Sequence, residues 1–247
     1  MRRDWQHVLS DLRDKLEQIQ WQSAERILAF QQDHLALIVA HANKTVPWYR
    51  RKWSAAGIDV DRFDPRRDWH RIPFLQRQDI QQAGLSLHST ALPPEHGNVH
   101  KNATGGSTGR PVKVLSSDWT NLWFLALTLR DHLWHGRDFS QKLCVIRYST
   151  SPGWAPPDGM TTRQWGRATT IVGPTGPAAV LSVLSDTQQQ ERWLRSHAPG
   201  YLLTYPSALH ALATRSIDHG AGCPGLLEAR SLGEVLEPDV RTACRKA

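Results

Sequence analysis

Short apolar runs alternate with longer segments of helical periodicity over the second half of the chain. Residues 143–146 read Leu-Cys-Val-Ile and residues 201–204 read Tyr-Leu-Leu-Thr, which is typical of buried strands. We predict strands over residues 143–146, 169–172, 201–204 and 226–232, and helices over residues 187–197, 207–217 and from Pro238 onward. Strands that alternate with helices favour an α/β fold with a largely parallel sheet.

The first hundred residues have a different pattern. Apolar positions between Trp5 and Ala42 follow helical spacing, which predicts one long helix or two in series that end before Val46-Pro47. Residues 59–100 are interrupted by proline and glycine and predict short helices and connections. We therefore divide the chain into a helical and irregular N-terminal arm, residues 1–100, and an α/β nucleotide-binding portion, residues 101–247.

Composition excludes several classes of protein. The formal charge of +7 comes from scattered basic residues, and no zinc-finger, RNP-like or helix-turn-helix pattern accompanies it, so we expect no nucleic-acid partner. Three separated cysteines argue against a disulfide framework or a metal knuckle and favour a reducing compartment. No apolar run is long enough to be a signal core or a membrane span, so we expect a cytoplasmic protein.

A glycine and hydroxyl cluster precedes the α/β pattern. Its glycines are Gly105, Gly106 and Gly109, its hydroxyl residues are Thr104, Ser107 and Thr108, and Lys113 follows. Glycines let backbone N–H groups converge on an anion, hydroxyls can donate to phosphate oxygens, and lysine adds a compact positive charge. The cluster predicts a phosphate-binding loop followed by a short strand and by a helix that Ser117 or Asp118 caps.

Two better-known phosphate loops do not fit this cluster. A Walker loop needs Lys-Ser or Lys-Thr after its last glycine, whereas Arg110-Pro111 follows Gly109 here. The dinucleotide fingerprint needs G-x-G-x-x-G before a helix, but these glycines are spaced G-G-x-x-G before a predicted strand. An ordinary turn rich in glycine and serine is the remaining alternative.

The longer string, residues 104–111 with Lys113, resembles the phosphate-binding signature of the adenylate-forming (acyl-AMP) ligases, in their phenylacetate-CoA ligase and CapK-like branch. Further segments are similar to this branch in the same order: Val46-Pro47-Trp48-Tyr49-Arg50 with Ala56-Gly57, Ile72-Pro73-Phe74 with Asp79-Ile80, Tyr205-Pro206-Ser207-Ala208-Leu209 with Leu212-Ala213, and Gly233-Glu234-Val235-Leu236 with Arg241. The resemblance therefore extends over most of the chain.

The resemblance implies a fold and a reaction. Members of this family form an acyl-adenylate from a carboxylic acid with ATP and Mg²⁺, and most then transfer the acyl group to a thiol such as coenzyme A. The triphosphate would be held by Thr104, Gly105, Gly106, Ser107, Thr108, Gly109 and Lys113, and the adenine pocket would be bordered by Gly233 and Glu234. The expected partners are a small carboxylic acid and a nucleotide.

The sequence departs from the family after Glu234. The family's aromatic-Gly-x-x-Glu motif, its ribose-binding aspartate and its mobile lysine have no counterpart there, so no catalytic residue is identified. We therefore expect part of the large N-terminal domain of such an enzyme, completed by a second polypeptide or acting as a homo-oligomer. A nucleotide-binding scaffold and an adenylating protein of capsular polysaccharide synthesis are the alternatives.

Other candidate chemistry is weaker. His132 and His135 have the spacing of a metal-ligand pair, but no third ligand has a suitable position, so a solvated or capping pair is favoured and no metal site is predicted. Residues 149–152 lack the glycine pattern of a serine-hydrolase nucleophile.

Overall fold

The computed structural model describes residues 4–103, 112–220 and 222–247. Within these ranges the helices are α1 (Trp5–Gln20), α2 (Ala24–Thr45), α3 (Pro47–Ala55), α4 (Pro65–Asp68), α5 (Arg77–Ala83), α6 (Asp118–Trp134), α7 (Thr187–His197), α8 (Pro206–His219) and α9 (Pro238–Lys246). The strands are β1 (Val99–Ala103), β2 (Lys113–Ser117), β3 (Leu143–Arg147), β4 (Met160–Thr162), β5 (Ala178–Ser182), β6 (Tyr201–Thr204) and β7 (Glu228–Ser231).

The chain packs into two compact units, Met1–Arg130 and Asp131–Ala247. The predicted division into a helical and irregular arm, residues 1–100, and an α/β nucleotide-binding portion, residues 101–247, stays a prediction.

In the first unit, the predicted N-terminal helical segment consists of two helices in series. Ser23 lies between them and caps α2, because its side-chain oxygen accepts a hydrogen bond from the Arg26 N–H at 3.4 Å. The second helix ends at Thr45, and the next residue, Val46, is extended, as expected before proline. Pro47 is the first residue of α3. A backbone N–H at this position has no partner within the helix, so proline, which has no N–H, loses no hydrogen bond there.

A small apolar cluster holds α2 and α3 together. Val39 from α2, Trp53 from α3 and Ile58 from the following turn are buried against one another. The Tyr49 and Trp53 rings stack with centroids 4.9 Å apart, which adds a specific aromatic contact to the burial of apolar surface. This packing fixes the position of Tyr49, which lines a groove of the first unit.

In the second unit, a five-stranded sheet has the order β4-β5-β3-β6-β7. The strand β3 lies in parallel between β5 and β6, so Leu143 is aligned with Ala178 on one side and with Tyr201 on the other. The edge strand β4 is antiparallel to β5, and β7 is parallel to β6. The sequence-based prediction of an α/β fold with a largely parallel sheet is confirmed.

Alternation along the strands places different residues on the two faces of this sheet. Cys144 and Ile146 of β3 belong to a buried cluster with side chains of α7, α8 and α9. Leu143 packs on the opposite face with Tyr201 and the partly buried Trp165. The helices that follow β5 and β6 thus cover one face, and the connection from β3 to β5 covers the other.

One predicted strand is wrong. Residues 169–172 lie in a 3₁₀ turn and bend that begins at Arg167, and the strand of this region is β5 at Ala178–Ser182. The hydroxyls of Thr169 and Thr170 donate to the carbonyl oxygens of Gly166 and Arg167, at 3.1 and 3.0 Å. Local hydrogen bonds of this kind compete with the bonds between strands. The β-branched residues at 169–172 therefore do not form the strand that their composition predicts.

A partly exposed ion-pair cluster around the buried Arg137 joins the end of α6 to β7. The Arg137 guanidinium, whose side chain is 2% exposed, donates to both carboxylate oxygens of Glu228 at 2.7 Å. It also donates to Asp131 Oδ2 at 2.8 Å, and Asp131 in turn pairs with Arg230. The two carboxylates neutralise the two cations, which is the condition for keeping the Arg137 guanidinium buried.

The two histidines of α6 have separate roles. His135 Nδ1 lies 2.8 Å from the Asp131 carbonyl oxygen, a contact that suits a helix end. His132 is buried, and its ring contacts those of Phe139 and Trp165. Burial, with the positive charges of Arg230 and Arg137, lowers the pKa of His132 from 6.5 to about 4. The capping role that we favoured suits His135, but His132 is a buried neutral ring and not a solvated one.

We expect the stability of the second unit to fall as the pH drops from 6.5 towards 4, the two pKa values of His132. In this window the unfolded chain accepts a proton at His132 and the folded chain does not, so protons favour unfolding. His132→Phe keeps an aromatic ring and should flatten this dependence in urea unfolding measured across the window. His210→Phe, which removes an exposed imidazole, is the control. An equal pH dependence in the two variants would contradict the assignment.

Candidate functional site

The predicted phosphate loop connects two paired strands. Its residues Thr104, Gly105, Gly106, Ser107, Thr108 and Gly109 lie outside the described residues. The strands on either side form an antiparallel ladder in which Ala103 is aligned with Lys113, and Val99 with Ser117. The two ends of the connection are therefore held side by side by the hairpin.

Lys113 is the predicted phosphate-binding residue that the structure describes. It is the first residue of β2, its side chain is exposed, and it borders a groove of the first unit. Within the described ranges, its ammonium has no hydrogen-bond or ion-pair partner. A lysine without a partner is available to an anionic ligand.

Asp118 attaches the start of the hairpin to α6. Its Oδ2 accepts hydrogen bonds from the Asn98 N–H at 2.8 Å and from Asn98 Nδ2 at 3.0 Å. Its Oδ1 lies 2.6 Å from His100 Nε2, and the contact with His100 is the main reason why the pKa of Asp118 is lowered. Gly97 has φ +71°, and a Cβ there would lie 2.5 Å from Asp118 Oδ2, so only glycine allows this approach.

Ser117 caps α6, as one of the two predicted alternatives. Its Oγ accepts a hydrogen bond from the Thr120 N–H at 3.2 Å. Ser117 and Asp118 thus order the region where the hairpin passes into the helix, and together they support the strand that carries Lys113.

In the second unit, two neighbouring parallel strands have connections that leave in opposite directions. The chain passes from β3 to β5 on one side and from β6 to β7 on the other, although β3 and β6 are adjacent. Such a switch point leaves a crevice at the carboxyl ends of the strands, where ligands of α/β proteins bind. Here those ends carry Tyr148 after β3 and Tyr205 after β6.

The two tyrosines meet at this crevice. The Tyr148 N–H donates to Tyr205 Oη at 3.3 Å, and the Tyr148 side chain is 59% exposed. Thr204, the last residue of β6, is fully buried, and its Oγ1 has no hydrogen-bond partner among the described residues. Neither residue was predicted to have a role, although Thr204 ends the predicted strand 201–204 and Tyr148 lies just beyond the predicted strand 143–146.

Gly233 and Glu234, the predicted adenine-side residues, follow β7 at the same edge of the sheet. Gly233 has φ +78°, and a Cβ there would lie 3.2 Å from the Tyr205 ring. Glycine suits this position because it adopts the positive φ without strain and leaves room for the ring. The structure therefore brings Gly233 together with Tyr205.

Glu234 binds the first turn of α8. Its two carboxylate oxygens accept hydrogen bonds from the Ser207 N–H at 2.9 Å and from Ser207 Oγ at 3.0 Å. A carboxylate at this end of a helix satisfies an otherwise free N–H and interacts favourably with the helix dipole. The contact spans distant parts of the chain, so sequence patterns of helix capping do not reveal it.

The described residues include no group of three or more His, Cys, Asp and Glu side chains placed to hold a metal ion. None of the helices in the described part of the chain is both long enough and apolar enough to cross a membrane.

We expect Glu234→Ala to loosen the first turn of α8 at a cost of about 0.5–2 kcal/mol, the usual effect of losing a helix cap. Hydrogen exchange at the Ser207 amide should become faster, and the midpoint of thermal unfolding should fall. Glu237→Ala is the matched control, because Glu237 precedes α9 without accepting a side-chain cap bond. Unchanged exchange at Ser207 would show that the contact contributes nothing to α8.

Comparison with known proteins gives relatives over part of the chain. No family model matches it. The phenylacetate-coenzyme A ligase of Escherichia coli (strain K12) is 34% identical over 100 residues, which are 40% of this chain and 22% of that protein. The enzyme of the same name from Thermus thermophilus is 35% identical over 91 residues, 36% of this chain and 20% of that protein.

Solved structures extend the similarity to nearly the whole chain. An open conformation of 2-hydroxyisobutyryl-CoA ligase in complex with 2-HIB-AMP and CoA matches 91% of this chain with a TM-score of 0.63 at 19% identity. The same enzyme in its postadenylation state with R3-HIB-AMP has a TM-score of 0.64 at 18% identity. The chain covers 53% and 48% of the two matched chains, about half of each. Sequence and fold together relate this chain to the N-terminal portion of the adenylate-forming ligases.

Proposed function

We propose that this chain binds MgATP and takes part in converting a carboxylic acid to an acyl-adenylate, followed by thioester formation with coenzyme A. The observation that carries the proposal is the glycine and hydroxyl loop, residues 104–109, ending at Lys113 in a chain related to phenylacetate-coenzyme A ligases. The structural match to an acyl-CoA ligase in complex with an acyl-AMP and CoA supports it.

The proposed chemistry needs positive charge and N–H donors more than it needs a catalytic base. A carboxylate that attacks the α-phosphorus brings negative charges together, so the departing β- and γ-phosphates have to be anchored and neutralised. Backbone N–H groups and hydroxyls of the loop would supply donors, and the Lys113 ammonium would supply charge. Mg²⁺ would arrive bound to ATP, held mainly by phosphate oxygens.

The adenosine end of the nucleotide would bind at the strand ends of the second unit. Tyr148, Tyr205 and Gly233 lie at the carboxyl edge of the sheet, and the Tyr205 ring offers an apolar face of the kind on which a base can stack. Glu234 would border this pocket while it caps α8. The support for this assignment is the switch point between β3 and β6.

We expect Lys113→Ala to weaken MgATP binding by about 1.5–3 kcal/mol, the usual contribution of a hydrogen bond to a charged group. Calorimetric titration of MgATP measures the change. Lys101→Ala is the matched control, because Lys101 is an exposed lysine on the partner strand β1, aligned with Leu115. Gly106→Asp, which brings a negative charge into the loop, should abolish binding. Equal affinity of the Lys113 and Lys101 variants would contradict the role of Lys113.

The same samples test whether the chain completes adenylation. Acid-dependent release of pyrophosphate from MgATP would support acyl-adenylate formation by this chain. Binding that depends on the loop, without pyrophosphate release, would favour a nucleotide-binding scaffold or a chain that acts with a second polypeptide. Absence of MgATP binding would overturn the proposed function.

A further inference from the structure

Two cavities of the second unit adjoin each other, and Arg195, Gly222 and Cys223 border both of them. The first, called the apolar cavity, has a volume of about 330 Å³. The second, called the polar cavity, has a volume of about 560 Å³, and its described lining contains no leucine, isoleucine, valine or aromatic side chain. Together they offer one apolar and one polar compartment to a single ligand.

The apolar cavity lies against the core of the second unit. Its lining includes four buried leucines of the core cluster, Leu194 in α7, Leu202 in β6, and Leu209 and Leu212 in α8. An apolar cavity of about 150 Å³ is enough to hold one benzene ring, so this one has room for about two rings. Small-molecule sites in proteins begin at about this size, roughly 300 Å³.

Two cysteines also line the apolar cavity, Cys223 and Cys244. Burial raises the pKa of both thiols, so they stay protonated and neutral at neutral pH. A neutral cysteine behaves as a small apolar group, and sulfur packs favourably against aromatic rings. The lining is therefore suited to an apolar ring system.

The charges around the two cavities favour an anion. The one acidic side chain in their described linings is that of Glu191, and Arg215 pairs with it. Within the described part of the chain, the Arg195 guanidinium has no hydrogen-bond or ion-pair partner. A guanidinium can hold an oxyanion through two parallel N–H bonds. Because Arg195 borders both cavities, an anion bound there can carry a body that extends into the apolar one.

The cavities lie away from the crevice at the strand ends. Residues 222–226 precede β7, whereas Gly233 and Glu234 follow it. Ser216 borders the apolar cavity, and helix geometry places it about 14 Å along α8 from Ser207, the residue that Glu234 binds. The cavities are therefore separate from the strand ends at which the adenosine is proposed to bind.

We propose that the two cavities form a second binding site, for a small molecule that combines an apolar ring system with one oxyanion group. The rings would lie against the leucines of the apolar cavity, and the oxyanion would be bound by Arg195 in the polar cavity. This site goes beyond the proposed function, because adenylate formation at the carboxyl ends of the strands makes no use of it.

The experiment follows the fluorescence of 1-anilinonaphthalene-8-sulfonate during titration with the chain. N-phenyl-1-naphthylamine has the same ring system without the sulfonate. Arg195→Met keeps an apolar stem and should weaken binding of the sulfonate roughly tenfold, while the neutral probe is unaffected. Arg192→Met is the matched control, because Arg192 is an exposed arginine of α7 outside both linings, and it should change neither affinity.

A second pair of variants tests the apolar cavity. Ala229 lines this cavity from β7, so Ala229→Phe should fill part of it and weaken binding of both probes roughly tenfold. Ala211→Phe is the control, because Ala211 is exposed on α8 and lies outside the lining. Thermal unfolding of each variant identifies any loss of binding that comes from misfolding.

The outcomes separate this proposal from the proposed function. Saturating MgATP should leave binding of the sulfonate unchanged, and displacement by MgATP would overturn the second site. Equal effects of Arg195→Met and Arg192→Met, or of Ala229→Phe and Ala211→Phe, in folded proteins would overturn it as well. The expected variant effects in a chain that does not bind MgATP would support the second site and overturn the proposed function.

Discussion

The pairing of β3 on both of its edges is the constraint on which the second unit depends. Because β5 and β6 are both parallel to β3, the carboxyl ends of all three strands lie at one edge of the sheet. The register also assigns Leu143 to one face and Cys144 to the other, so each face receives its own layer of packing. The crevice at Tyr148 and Tyr205 follows from this arrangement, since their strands are adjacent and their connections diverge.

Local patterns predicted the elements whose structure is set locally. Residues 201–204 were predicted as a strand and form β6, and residues 187–197 were predicted as a helix and form α7. The error at residues 169–172 arose where threonine hydroxyls bond to nearby carbonyls, an outcome that composition does not distinguish from a strand. The strand β5 was missed because Ala178 and Ala179 have weak strand propensity, and burial in the sheet overrides it.

The sequence predicted which residues are candidates for the site, but it did not predict which side chains those residues contact. The spacing of the loop identified Lys113 as a candidate anion ligand, and its exposed ammonium, unpaired among the described residues, agrees with that interpretation. The bonds between Glu234 and Ser207 join segments far apart in sequence, so no local motif contains them. The burial of His132 against Trp165 is a tertiary effect of the same kind, because the spacing of histidines on a helix does not report what packs against it.

Because Glu234 follows β7 and caps α8, the order of the first turn of α8 depends on the position of the Glu234 carboxylate. The carboxylate uses both of its oxygens on the first turn of the helix, so a ligand that draws Glu234 away has to release that turn. A ligand that leaves Glu234 in place keeps the turn ordered. The partner of the Glu234 carboxylate therefore decides whether the first turn of α8 keeps its cap.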